Sequence, residues 1–256
     1  LSLFDCSMDY ARDVFRNIRG IKKSQDLFDD LSNDPMDWEA ANSLEIYTHP
    51  PLQNAQIIQR AFDYSKNDFI DYPFEHITQS RYSDGSIAVW YGSETMETSI
   101  YETAFHFMKE ILDAPDAFSE ESFIQIDRRI AKVNCCGLAF DLSPKADEFP
   151  WLIDPVNYTK CQEIGRRVAT EGHPLLRVPS ARHDKGINIV AFSQQVLSNP
   201  REFCKLQYKF DLINNNLMVF RNKEQVKQFD FFINELNNFN ITSFMADNKS
   251  REKTRT

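Results

Sequence analysis

Apolar residues recur along this chain in two rhythms, and the change between them falls near residue 80. Before it, Met8, Ala11, Phe15 and Ile18 keep the three-to-four spacing of a buried helical stripe. Leu27, Phe28 and Leu31 continue it after a break at Gly20. Asp34-Pro35 reads as a helix start leading to Trp38 and Leu44, with Asp as cap and Pro in the first turn. Pro50-Pro51 ends that unit, and Ile57, Ile58, Ala61 and Phe62 mark another helical face. Residues 1–74 are therefore predicted to form a helical N-terminal extension.

After residue 80 short β-rich runs appear. Ser86 to Tyr91 predicts a strand behind a Ser83-Asp84-Gly85 turn, and Ser93 then caps a helix running to about Leu112. Two apolar stripes lie on that helix, one through Met96, Ile100, Phe107 and Ile111 and one through Tyr101, Phe105, Met108 and Leu112. Half its circumference is apolar, so it belongs inside the protein. Strands follow at Ser122 to Asp127 and Leu138 to Leu142. Asp154-Pro155 opens a helix carrying Cys161, Ile164 and Val168, and Gly172 stops it. Leu175 to Val178 and Ile187 to Phe192 read as strands, and Leu206 to Leu212 with Leu217 to Phe220 as a hairpin across Asn214 to Asn216. A Phe-rich helix, Gln225 to Leu236, closes the pattern. The expected class is α+β (mixed α/β), a single sheet core over residues 75–240 with the helical extension packed on it and a flexible tail, 241–256.

Composition narrows the chemistry. Seven Gly in 256 residues is under half the usual share of about 7%, and neither G-x-G-x-x-G nor G-x-x-x-x-G-K-[ST] occurs. Both Gly-rich phosphate cradles are missing, which argues against a Rossmann dehydrogenase and a P-loop NTPase. The net charge of −9 disfavours nucleic acid and anionic membrane as main partners. Five Cys without a C-x-x-C read as reduced thiols, and five scattered His without H-E-x-x-H predict no metal. No window of about 18 apolar residues and no leader pattern is seen, so the expected location is the cytoplasm.

Two segments hold the candidate chemistry. In the first, Arg81 precedes a turn, Tyr91 ends a strand, and Glu102 and His106 share a helix face at the margin of its apolar half. In the second, a Val-Pro-Ser-Ala-Arg corner puts Ser180 at a strand end, with Arg182 just after it and Asn188 on the next strand. On spacing alone Arg81 and Glu102 read first as solvated charges, Tyr91 as packing, His106 as structural and Ser180 as a turn serine.

Taken in order, R-Y-S-D-G, V-W-Y-G, Y-E-T-A-F-H, V-P-S-A-R and N-I-V-A-F resemble the RES domain family of bacterial toxins, chiefly over residues 75–195. The resemblance implies a fold akin to ADP-ribosyltransferase toxins, a split β-sheet around an NAD cleft. It implies a toxin of a toxin–antitoxin pair that consumes NAD as substrate by cleaving the nicotinamide–ribose bond, with inorganic phosphate or water as acceptor. It also implies an Xre-type helix-turn-helix antitoxin as partner, with a homodimer allowed. Carried over by motif, the family's Arg, Tyr, Glu and Ser fall on Arg81, Tyr91, Glu102 and Ser180, with Tyr82 and Asn188 as pocket neighbours. Arg81, Glu102 and Ser180 are the catalytic candidates, and Arg81, Tyr82, Tyr91, Ser180 and Asn188 those for NAD binding. A protein ADP-ribosyltransferase using the same site, and a non-catalytic interaction protein keeping the fold, are the alternatives. The absence of an E-x-E pair counts against side-chain Arg as acceptor.

Overall fold

The computed structural model describes residues 3–20, 66–113, 122–233 and 239–244. The helical stripes expected around Leu27, Trp38 and Ile57 lie outside them. The chain adopts the expected α+β class, with few helices against one large sheet.

The first element corrects the sequence reading. Ser7–Arg19 is not a helix but a 13-residue strand, β1. It pairs antiparallel along its whole length with β5 (Phe123–Asp141), from Ser7 opposite Phe140 to Arg19 opposite Arg128. Met8, Tyr10, Val14 and Ile18 meet one apolar cluster, while Phe15 packs against a second. This segment satisfies both periods, and the ladder offered by β5 decides between them. β5 in turn joins the two strands expected at 122–127 and 138–142 into one. Its middle carries Arg128, Arg129, Lys132 and Asn134, yet Ile130, Ala131, Val133 and Cys135 between them are fully buried.

A hairpin of β2 (Gln79–Ser80) and β3 (Ser83–Asp84) stands apart from the main sheet. That sheet adds β4 (Trp90–Ser93), β6 (Leu175–Pro179), β7 (Ile187–Ala191), β8 (Leu197–Asp211), β9 (Asn216–Arg221), β10 (Glu224–Ile233) and β11 (Phe239–Phe244). Among the described residues its nine strands run β1-β4-β7-β6-β5-β8-β9-β10-β11, and β1 also pairs with β5. Five strands therefore close a ring, β1-β4-β7-β6-β5, and the other four extend from β5 as an arm. The sheet splits along β5, whose one edge holds β8 over Phe123 to Cys135 and then β6, in parallel, over Ala139 to Asp141. β1 and β4 meet in a single pair, Phe15 opposite Ser93.

β10 is the second correction, since it was expected as a helix. Asn222 and Lys223 take left-handed φ angles of 51° and 69°. Two such residues make a tight reversal that feeds Glu224 back along β9. Residues 241–244 of the expected tail belong to β11.

After a short turn of helix, α1 (Tyr72–Glu75), two helices cover the sheet. α2 (Met96–Asp113) buries Ile100, Tyr101, Ala104, Phe105, Phe107, Met108 and Ile111 against β8, β9 and β10, as its two stripes predicted. Its start lies at Thr95, whose Oγ1 accepts from the Thr98 amide, rather than at Ser93, which is in β4. α3 (Thr159–Thr170) packs Cys161, Ile164 and Val168 on Leu176, Val178 and Val190. It begins later than expected because Asp154 Oδ1 accepts from the Val156 and Asn157 amides, folding that stretch into a turn. Gly172, at φ 77°, follows its end. Among the described residues no helix is long and apolar enough to cross a membrane.

Candidate active site

At the seam between β1 and β4 lies a cavity of about 320 Å³. Its wall takes Phe15, Arg16 and Asn17 from β1, Tyr91, Gly92 and Ser93 from β4, and Asn188 from β7. Helix α2 contributes Ser99, Glu102, Thr103 and His106, and the β2–β3 hairpin contributes Ser80 and Arg81. Residues more than 80 positions apart thus converge on one hollow.

Glu102 is the best-fixed group. Its Oε1 accepts from Ser180 Oγ at 2.6 Å and from Asn188 Nδ2 at 2.6 Å. Ser93 Oγ donates to Asn188 Oδ1 at 2.7 Å, which turns the amide so that its N–H faces the carboxylate. Oε2 has no hydrogen bond among the described residues, so one carboxylate oxygen is anchored and the other is left for the cavity. Ser180 is 8% exposed and does not itself line the cavity. Its Oγ also accepts from the amides of Arg182 (3.1 Å) and His183 (3.0 Å), so it is both a turn serine and a support for Glu102.

Arg81 sits at the tip of the β2–β3 hairpin. Its Nη1 donates to the carbonyls of Asp154 (2.8 Å) and Leu152 (3.4 Å), and its guanidinium stacks 4.3 Å from the centre of the Tyr158 ring. The hairpin is fixed from two sides. Tyr91 Oη accepts from the Tyr82 amide at 2.9 Å and shares a 2.8 Å bond with Ser80 Oγ. From α3, Gln162 Nε2 donates to the carbonyls of Ser80 (3.0 Å) and Ser83 (3.4 Å). Burial pushes the Tyr91 hydroxyl up to about 12, although its bonds to Ser80 and Tyr82 and the charge of Arg81 oppose the rise. Tyr82 borders the cavity with a fully buried ring, and that burial also raises its hydroxyl.

Three further groups shape the field. Arg182 donates to the Pro155 carbonyl (2.7 Å) and Tyr158 Oη (2.9 Å), with its guanidinium 3.4 Å over the Phe105 ring. His106, at the rim, is held below its usual value by desolvation in the cleft and by the charges of Arg182 and Arg81, against the opposing pull of Glu102. Asn17 is a polar brace beneath the site. Its Nδ2 donates to Thr103 Oγ1 and Tyr208 Oη, and Arg128 Nε donates to its Oδ1.

The structure thus brings Arg81, Tyr82, Tyr91, Glu102 and Asn188 to one cavity and sets Ser180 directly behind Glu102. Arg16, Asn17, Thr103 and Tyr158 were missed. The first two fell in a segment read as helix, where nothing related them to residue 91 or 102. Tyr158 lay in a stretch assigned to a helix that starts after it.

No curated protein matches the chain. A chain of the crystal structure of the M. tuberculosis MbcT–MbcA toxin–antitoxin complex is similar over 77% of this chain and 86% of its own length, with 10% identity and a TM-score of 0.40. The family model described as RES domain matches residues 56–211, a span that holds Arg81, Tyr91, Glu102, Ser180 and Asn188. The chain belongs to the RES domain family.

Proposed function

We propose that this protein is the toxin of a bacterial toxin–antitoxin pair, acting in the cytoplasm to degrade NAD at the Glu102 cavity. In the reaction the bond between C1 of the ribose and the nicotinamide nitrogen breaks. Its electron pair goes to the nicotinamide nitrogen and quenches that ring's positive charge. An oxygen of phosphate, or of a water that releases one proton to solvent, bonds to C1, giving ADP-ribose 1-phosphate or ADP-ribose. Positive charge builds on the sugar as the bond breaks, and a fixed carboxylate beside it lowers that barrier. The observation that carries the reading is the one-sided anchoring of Glu102, with Oε1 held by Ser180 and Asn188. A carboxylate so held needs no reorganisation when the charge develops. Arg81 then offers a cation to the dinucleotide's pyrophosphate, in place of the missing Gly-rich loop. An Xre-type helix-turn-helix antitoxin is the proposed partner, on the strength of the family.

The test is NAD loss by the purified chain, with and without inorganic phosphate, beside Glu102→Gln. Turnover is expected in the wild type and a fall of about 10²–10³ in the variant. Phosphate-dependent loss marks phosphorolysis and phosphate-independent loss marks hydrolysis. No loss in either buffer would refute the standalone reaction and turn attention to a protein acceptor or a binding role.

A further inference from the structure

Glu102 is anchored by a serine that stands in a loop. Ser180 lies between β6 and β7, and a loop hydroxyl is placed only as well as its loop is held. Inside that loop, Ser180 N donates to the Gly186 carbonyl at 2.8 Å and Gly186 N to that of His183 at 2.9 Å. These bonds close the corner on itself. They do not tie it to α2, the helix that carries Glu102. Besides Ser180, two side chains of the corner bond to or stack on that helix. Arg182 lies over Phe105, but its guanidinium belongs to the cavity wall and is shared with Pro155 and Tyr158. The other is His183. Its Nδ1 shares a 2.9 Å hydrogen bond with Thr98 Oγ1, and its ring stacks on Tyr101 with centres 4.4 Å apart and planes 20° apart.

His183 joins both ends of the anchor. Its amide donates to Ser180 Oγ at 3.0 Å, while its ring is fixed on the turn of α2 that leads into Glu102. Contacts therefore run in a closed circuit, from Glu102 to Ser180, along the corner to His183, across to Thr98 and Tyr101, and back through α2. The far side of that circuit is firm. Thr98 is fully buried, and its hydroxyl also shares a 2.8 Å bond with Thr95 Oγ1. Tyr101 is packed edge-on by Phe229 at 5.0 Å and covered by Lys227, which is itself paired with Glu97 at 2.8 Å. Gly186 closes over the histidine, since a Cβ there would stand 2.8 Å from His183 Nδ1 and 2.9 Å from Thr98 Cγ2. The His183 ring is not part of the cavity wall, so its role is not contact with whatever binds there.

We propose that His183 is a positioning residue, a pin that fixes the Ser180 corner on α2 and thereby keeps the Ser180 hydroxyl on Glu102. The placement rests on the geometry above; its effect on rate rests also on the proposed NAD reaction. A pin is needed because the serine has other partners. Ser180 Oγ already accepts from two amides of its own turn, and those local bonds survive if the corner moves as a unit. The bond to Glu102 does not. It is 2.6 Å long, and a drift of about 1 Å carries it out of hydrogen-bond range. Glu102 would then keep only Asn188 on Oε1, and the carboxylate would be free to turn about that single bond.

The first test is structural and needs no turnover. A crystal structure of the full chain carrying His183→Ala should show Ser180 Oγ more than about 3.5 Å from Glu102 Oε1, with the sheet and α2 unchanged. Thr98→Val keeps the shape of the buried side chain and loses only its hydroxyl, so it serves where His183→Ala fails to fold. A Ser180–Glu102 bond kept at 2.6 Å in whichever of the two folds would overturn the pin. The second test is kinetic. His183→Ala should lower kcat for NAD loss about tenfold and leave KM, and His183→Asn, whose side-chain amide can still meet Thr98, should recover part of the loss. In a Ser180→Ala background His183→Ala should cost little more, because the two substitutions act on one bond. An equal fall in both backgrounds would show that His183 acts apart from Ser180 and would overturn the proposal. A wild-type protein that turns over no NAD would refute the reaction instead, and the crystallographic distance would still decide the pin.

Discussion

Gly165 lies in the middle of α3, where alanine would normally stabilise a helix by about 1 kcal/mol. Here the opposite is expected. A Cβ at this position would stand 1.9 Å from the Tyr82 carbonyl oxygen and 2.8 Å from its carbon, both backbone atoms. No rotamer change relieves such a contact, so helix and hairpin must separate by about 1.5 Å to reach ordinary van der Waals distance. Overpacking costs about 1–3 kcal/mol, and a rigid contact belongs at the upper end. Net of helix propensity, Gly165→Ala should lose about 2 kcal/mol, a Tm fall of about 4–8 °C. The functional loss should be larger than the stability suggests. The shift strains the two bonds from Gln162 and the Tyr91 bond to the Tyr82 amide, which together fix Arg81. A displacement of about 1 Å in a positioning group can cost about 10² in rate. Circular dichroism melting and NAD turnover on the same samples provide the measurement. Gly172→Ala is the control, because φ 77° strains the backbone there but nothing lies within 4 Å. It should lose stability and keep its KM. A Gly165→Ala protein that melts at or above the wild type, with an unchanged NAD KM, would refute the reasoning.

Two other outcomes follow from the same geometry. Ser180→Ala removes one of the two donors to Glu102 Oε1 without touching the cavity wall, so kcat should drop about tenfold or more with little change in NAD KM, as steady-state kinetics would show. Arg177→Met would leave Glu94 and Asp141 facing each other without their shared cation, at a cost of about 3–5 kcal/mol seen as a lower Tm. An unchanged Tm in circular dichroism melting would contradict the account.

The parts of this molecule that could be read from sequence share one property: their signal is local. Helix α2 announces itself by two apolar stripes, and it carries Glu102 and His106 on the side left over. Strands β6 and β7 appear as short apolar runs bracketing the Ser180 corner, and Asn215 at φ 51° makes the expected reversal between β8 and β9. What failed depends on distant partners. In β1, the residues spaced for a helix also suit a strand, and only β5, more than a hundred residues on, decides the matter. In β10 the phenylalanine spacing mimicked a helix, while the Asn222-Lys223 reversal that rules it out was a weak cue. The site divided along the same line. Motif residues were placed by their resemblance to the RES family, whereas Arg16 and Asn17 become visible only once β1 is a strand.

The ring formed by β1, β4, β7, β6 and β5 also sets a timetable. β1 leaves the ribosome first, but its ladder needs β5, and the cavity needs Asn188 on β7. At about 5–20 residues per second, the interval between Phe15 and Asn188 is roughly 10–35 seconds. Until β5 has been made the first strand lacks its long ladder, and Glu102 has both of its donors only once Asn188 has been added. A nascent chain that stops short of Asn188 therefore cannot hold Glu102 as the folded protein does.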